Sequence, residues 1–283
     1  MLITTCLRRG ATAAGASCAL AMLLAFAPPR APAGRPSAIA DGGTAAGEDP
    51  ENQSDGASED GEDGSATFGA ELNLDSRFVW RGMAFSQGPV VQPSTWLSLW
   101  GFTLELWGNV MLNDEPGHDV LSAVVPALGY TWTWQRLSVE PGVVLYYTPN
   151  EPGPQLTTEA TLELSYRLGF WRVLTETYID IQSSPGAYFG TLGTEYEREV
   201  HDWTFKALLD FGWATAEFNK AYFGADTAAM NLIHARLSVR YDLTDLLYFA
   251  LHADMSTLLH PALRRSVDEP TLGSGGASLG VEY

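Results

Sequence analysis

From about residue 66 to residue 283 the chain alternates apolar and polar side chains with a period of two. At its start Phe68, Ala70, Leu72, Leu74, Phe78 and Trp80 carry one parity, and Glu71, Asn73, Asp75, Arg77 and Arg81 the other. A β-strand puts these sets on opposite faces, whereas helical spacing would mix them. The texture returns where Trp203, Phe205, Ala207, Leu209, Phe211 and Trp213 alternate with Thr204, Lys206, Leu208, Asp210 and Gly212. It returns again where Ile233, Ala235, Leu237, Val239 and Tyr241 alternate with His234, Arg236, Ser238 and Arg240. About twelve such segments are expected, near 68–81, 91–100, 103–112, 120–134, 137–148, 156–168, 170–181, 187–198, 203–213, 231–243, 246–257 and 275–283.

The connections between these segments alternate in length. RGMAFSQGP, NDEPGHD, PNEPGPQ, QSSPG and the stretches 214–230 and 258–274 are long, while those at 101–102, 135–136, 169, 199–202 and 244–245 are tight. A soluble sandwich has no reason for this asymmetry. An all-β, transmembrane antiparallel up-and-down β-barrel does, with long outer loops and short periplasmic turns. An even strand number brings the N- and C-termini to one side, here the periplasmic one. Most tryptophans fall near strand ends, Trp80 and Trp213 at the outer ends and Trp100, Trp132, Trp134, Trp171 and Trp203 at the inner ends, as two interfacial girdles require. The sequence ends GASLGVEY, alternating Leu279, Val281 and Tyr283. This resembles the signal by which outer-membrane barrels are recognised for assembly, so the expected partners are outer-membrane lipids and, through Tyr283, the barrel-assembly machinery.

The first residues differ in texture. Arg8 and Arg9 precede the apolar run 17–27, and Ala31-Pro32-Ala33 offers a small-x-small cleavage site, so 1–33 reads as an export signal. Residues 41–63 hold nine acidic side chains, no basic one and no large apolar one. Such a segment buries too little apolar surface to offset its ordering entropy, so 34–65 is expected to be a disordered acidic tail and 66–283 the barrel. The whole chain has 16 basic and 34 acidic residues, a formal net charge of -18, which argues against nucleic acid as a partner. The only cysteines, Cys6 and Cys18, lie in the export segment, so a processed chain has neither disulfides nor thiolate chemistry.

The stretch LNLDSRFVWRGMAFSQGPVVQPS, followed by LELWGNVML, resembles the opening of a family of porins from Gram-negative outer membranes. Members begin S-x-[YF]-x-[WF]-R-G, then a Gly-Pro turn, a Gln-Pro-Ser strand start and a W-G-N strand. GVVLYYTPN, GAYFGTLGTEY, FNKAYFGAD and STLLHPALR extend the resemblance over 72–283. It implies a barrel with an aqueous or plugged lumen and implies no reaction.

Candidate lumen-lining residues follow from pairing strands around their turns. A hairpin centred on Gly169 sets Glu163 opposite Glu176 and Glu159 opposite Asp180, with Arg167 facing Arg172. Like charges directly opposite are unfavourable unless water, bound cations or neighbouring strands relieve them. Around 199–202, Glu195 falls opposite Lys206. Around Thr244, His234 falls opposite His252, with Asp254 diagonally beside them. This trio fits a hydrogen-bonded cluster, a zinc or copper site, or a base and orienter for a Ser nucleophile, for which Ser256 is nearest. His118, His201 and His260 sit in loops or turns. Arg77 and Arg81 point inward on the alternation, either at a constriction or locking the first strand to its neighbours.

Nucleotide-binding loops, helical zinc motifs and the G-x-S-x-G elbow are absent from the sequence. No cofactor, no metal and no enzymatic activity are expected. The leading expectation is a porin-like passive channel for small polar solutes with a preference for cations. The alternatives are a plugged structural or adhesive barrel and an outer-membrane enzyme using the His cluster.

Overall fold

A computed structural model describes residues 66–112, 121–149 and 155–283; the export signal, the acidic tail and His118 lie outside them. The strands are β1 (Thr67–Asp75), β2 (Val79–Trp80), β3 (Met83–Ala84), β4 (Val90–Leu99), β5 (Phe102–Met111), β6 (Leu121–Tyr130), β7 (Trp132–Trp134), β8 (Leu137–Tyr147), β9 (Leu156–Leu168), β10 (Trp171–Asp180), β11 (Tyr188–Val200), β12 (Trp203–Ala214), β13 (Ala229–Asp242), β14 (Leu247–Leu258) and β15 (Thr271–Glu282). Two helices, α1 (Ala216–Phe223) and α2 (Pro261–Arg264), lie in the connections before β13 and β15. All strands except β2 and β3 join one antiparallel sheet. It closes because β15 pairs with β1, and β8 pairs with both β6 and its continuation β7. With β6 and β7 taken as one strand interrupted at Thr131, the structure is a closed barrel of 12 strands.

Period-two alternation becomes an inside and an outside. Leu72, Leu104, Leu192 and Leu251 stand exposed on the outer wall, each at 46% or more of its full surface, while Glu71, Trp107, Gly193 and Asp254 on the same strands are inward and mostly buried. A wall of exposed apolar side chains around the sheet is stable only against lipid. Trp100, Trp132, Trp134, Trp171 and Trp203 are all exposed at one rim, forming the girdle expected there. At the same rim lie the tight turns, the start of β1 and the end of β15, where Phe68 and Tyr283 exchange backbone hydrogen bonds. Trp100 and Gly101 both have positive φ, the two-residue turn whose twist matches the flanking strands.

The opposite rim, with the longer connections, is filled. Beyond Asp75 the chain leaves the wall and folds inward as the β2–β3 hairpin, whose tip Arg81-Gly82 again has positive φ at both residues. Gly82 is needed there because a Cβ would meet the Leu258 side chain at 2.7 Å. Phe78, Trp80, Phe218, Tyr222 and Phe223 from this hairpin and α1 pack against Trp107, Met111, Val125, Tyr146, Phe189, Leu232 and Leu258 from the upper wall. Trp80 lies 5.2 Å from the Tyr222 ring and 6.1 Å from Phe218. Thr215 caps α1 by accepting from the Phe218 N–H, and Gly224 ends it in the left-handed conformation.

Two expectations change accordingly. The first strand does not run to residue 81, and Phe78 and Trp80 do not face lipid, for they are 3% and 1% exposed inside the barrel. Their parity is that of the outer wall, but β1 stops at Asp75, so parity no longer decides the face. Trp213 remains on the wall, half-buried, with its ring over Gly190 of β11.

Candidate functional site

The interior below the plug is polar and charged. The pairing around Gly169 is as the sequence predicts: Glu163 stands opposite Glu176, Glu159 opposite Asp180 and Arg167 opposite Arg172. Each carboxylate is relieved differently. Glu159, 2% exposed, receives both ends of the Arg81 guanidinium at 3.0 Å and the Tyr146 hydroxyl at 2.7 Å. Arg81 itself sits between aromatic faces, 4.5 Å from the Trp80 and Tyr178 ring centres and 4.6 Å from Phe189. Asp180 accepts from the Thr157 hydroxyl and from the backbone N–H groups of Gln182 and Ser183, which caps the turn after β10. Glu176 accepts from the Tyr178 hydroxyl, and Glu163 lies 3.8 Å from Arg172.

Other pairs are shifted, by two residues across β11–β12 and by four across β13–β14. Glu195 does not face Lys206; Lys206 pairs with Glu197 at 2.6 Å, and Glu195 binds Arg172 at 3.0 Å. The β11–β12 turn is confined to His201-Asp202, with His201 at φ 55°, which moves the register away from a turn at 199–202. His234 faces Ser256, not His252, and His252 faces Ser238. Here the connection is the wider one, 243–246, whose Thr244 hydroxyl accepts from the Leu246 and Leu247 N–H groups. Arg77 stays at the rim, where it binds Glu269 at 2.8 Å. Arg81 reaches the interior through the hairpin turn rather than through strand alternation.

The two histidines form a ladder with carboxylates that spans β12, β13, β14 and β1. His234 Nδ1 is 2.9 Å from Asp210 and its Nε2 3.3 Å from Asp254; His252 Nε2 is 2.6 Å from Asp75 and 3.7 Å from Asp254. Arg236 approaches Asp254 at 3.7 Å. Ionised carboxylates only accept, so with one on each nitrogen His234 donates twice and is an imidazolium. A doubly hydrogen-bonded imidazolium has no lone pair with which to deprotonate Ser256, and Asp254 occupies the nitrogen a triad needs. Among the described residues no group of three or more His, Cys, Asp or Glu is placed to hold a metal ion. The arrangement is that of a hydrogen-bonded lumenal cluster.

Sequence reasoning had the parity of Asp210, Glu71 and Arg236 right without assigning them a place. Asp210 is the second carboxylate on His234, and Glu71 accepts from the Tyr248 hydroxyl at 2.7 Å. Both sit at the inward parity of their strands, which is the signal that identifies them.

No protein-family model and no curated protein matches the chain. Among solved structures, the NanC porin is similar at 13% identity and a TM-score of 0.51, the match covering 76% of this chain and 98% of that one. The chain folds as an outer-membrane β-barrel. More distant matches include the KdgM porin, at 11% identity and a TM-score of 0.46 over 76% of this chain and 98% of that one. Outer membrane phospholipase A from Escherichia coli matches at 12% identity and a TM-score of 0.41, over 76% of this chain and 92% of that one.

Proposed function

We propose that the protein is a porin-like channel of the outer membrane that passes small polar solutes and prefers cations. The observation that carries this reading is the inward set of carboxylates on adjacent strands: Glu159 and Glu163 facing Asp180 and Glu176, with Asp210 and Asp254 further round the wall. A low-dielectric wall focuses the field of such charges into the lumen. A path past the aromatic cluster at the long-connection rim would be narrow, which restricts it to small solutes. The resemblance of SRFVWRG and the segments after it to the porin family points the same way.

The test is conductance of the purified protein in planar bilayers, with reversal potentials read in a salt gradient. Cation selectivity is expected, weakening as salt screens the charges. The double substitution Glu163→Gln and Glu176→Gln keeps size and removes two charges, and the reversal potential should move towards zero. Selectivity indifferent to it rejects these residues as the lining. The aromatic cluster across the rim favours a second reading, a plugged structural barrel, and a complete absence of conductance would select it.

The orientation proposed is the usual one, tight turns in the periplasm and long connections outside. Glu217→Cys, exposed on α1, is then labelled on intact cells by an impermeant maleimide, and Thr244→Cys is not. The reverse pattern inverts the barrel.

A further inference from the structure

Directly beneath the plug lies a cavity of about 140 Å³. Part of its lining is apolar, Val79 of the hairpin with Leu174, Leu208, Leu232, Leu272 and Phe189. The rest is polar, formed by Glu176, Asp210, His234, Arg236, Asp254 and Ser256 among others. Two of these polar atoms are unsatisfied. Ser256 is 6% exposed, and its Oγ has no hydrogen-bond partner among the described residues. Asp254 Oδ2 accepts no hydrogen bond either, with His252 Nε2 3.7 Å away. A buried hydroxyl without a partner is rare in a finished core and marks a place where something else supplies the bond.

The charge around the cavity is unbalanced. Arg81 also lines the cavity, but its guanidinium is taken up by Glu159. The carboxylates of Glu176, Asp210 and Asp254 then stand against Arg236 and the His234 imidazolium, while His252 is hydrogen-bonded to Asp75, which reaches it from β1 across β15. One negative charge remains. We infer that the cavity binds a small organic cation whose charged head meets Ser256 and the carboxylates and whose apolar body lies against the leucines, Val79 and Phe189. Cavities of about 150 Å³ accept a benzene-sized ring. A polyol would leave the apolar walls unmatched, and an anion would be repelled. This deepens the channel reading, resting on it for the route by which the cation arrives, although binding itself does not require conduction.

The probes are benzylammonium, benzyl alcohol and benzoate, titrated calorimetrically against the purified full chain in detergent. Benzylammonium should bind saturably and about tenfold or more tighter than benzyl alcohol, with no binding of benzoate. Glu176→Gln should remove most of the preference for the cation. Ser256→Leu should fill the cavity and abolish binding while heat-modifiable migration stays intact; if that variant does not fold, Glu176→Gln still decides. Equal affinity for the ammonium and the alcohol, a Glu176→Gln variant that binds as before, or no saturable binding overturns the inference. Conductance of the same preparation is read separately: conduction without binding removes the site and leaves the channel, whereas binding without conduction leaves the site and removes the channel.

Discussion

Replacing Arg81 with Met is expected to cost about 3–5 kcal/mol of stability, because Glu159 is left as a buried charge without its partner. The pair is inaccessible on both sides, each side chain 2% exposed, and its geometry is bidentate. Glu159 would keep only the Tyr146 hydroxyl. Removing both charges, in Arg81→Met with Glu159→Gln, should recover most of the loss, since a buried ion pair and a neutral replacement of similar volume differ far less than a pair and a broken pair. Denaturant unfolding in detergent, followed by tryptophan fluorescence, measures all three variants. A single Arg81→Met change costing less than about 1 kcal/mol would show the interior wet enough to hydrate Glu159, and the plug would then be looser than its packing implies.

The barrel was legible because its rules are local. Alternation separates lipid from lumen along each strand, and loop length separates one rim from the other, so strand number and the face of Leu72, Leu104 or Asp210 follow without tertiary information. Register was legible only where the turn was. Gly169, at φ 64°, fixes a two-residue turn, and the pairs Glu163–Glu176 and Glu159–Asp180 come out correctly. At 243–246 the Thr244 hydroxyl organises a wider turn, and one such difference moves His234 from His252 to Ser256. The inward hairpin was not legible at all. Phe78 and Trp80 continue the parity of β1, and nothing in SRFVWRG announces that the chain has left the sheet. What decides their place is the aromatic surface of α1 and of the upper wall, which is distant in sequence. The same motif puts Arg81 at positive φ, an unusual conformation for a residue with a side chain, accepted here in exchange for the contact with Glu159.

Trp80→Ala is the change expected to connect that hidden hairpin with function. Trp80 is 1% exposed and packs on Phe85, Phe218 and Tyr222 at centroid distances of 5.8, 6.1 and 5.2 Å. Truncating a buried Trp removes its transfer energy and leaves a cavity, typically about 3–5 kcal/mol together. The loss falls on the plug, because Trp80 belongs to the two-stranded β2–β3 hairpin and makes no ladder hydrogen bond to the barrel sheet. Heat-modifiable migration should therefore persist while the hairpin loosens. If the plug is the narrowest part of the path, unitary conductance rises and larger solutes are admitted, with cation selectivity kept because Glu163, Glu176 and Asp210 are untouched. Unchanged conductance in a folded variant would move the constriction down to the charged belt. Loss of the barrel itself would make the aromatic cluster a part of assembly rather than a stopper added to a finished wall.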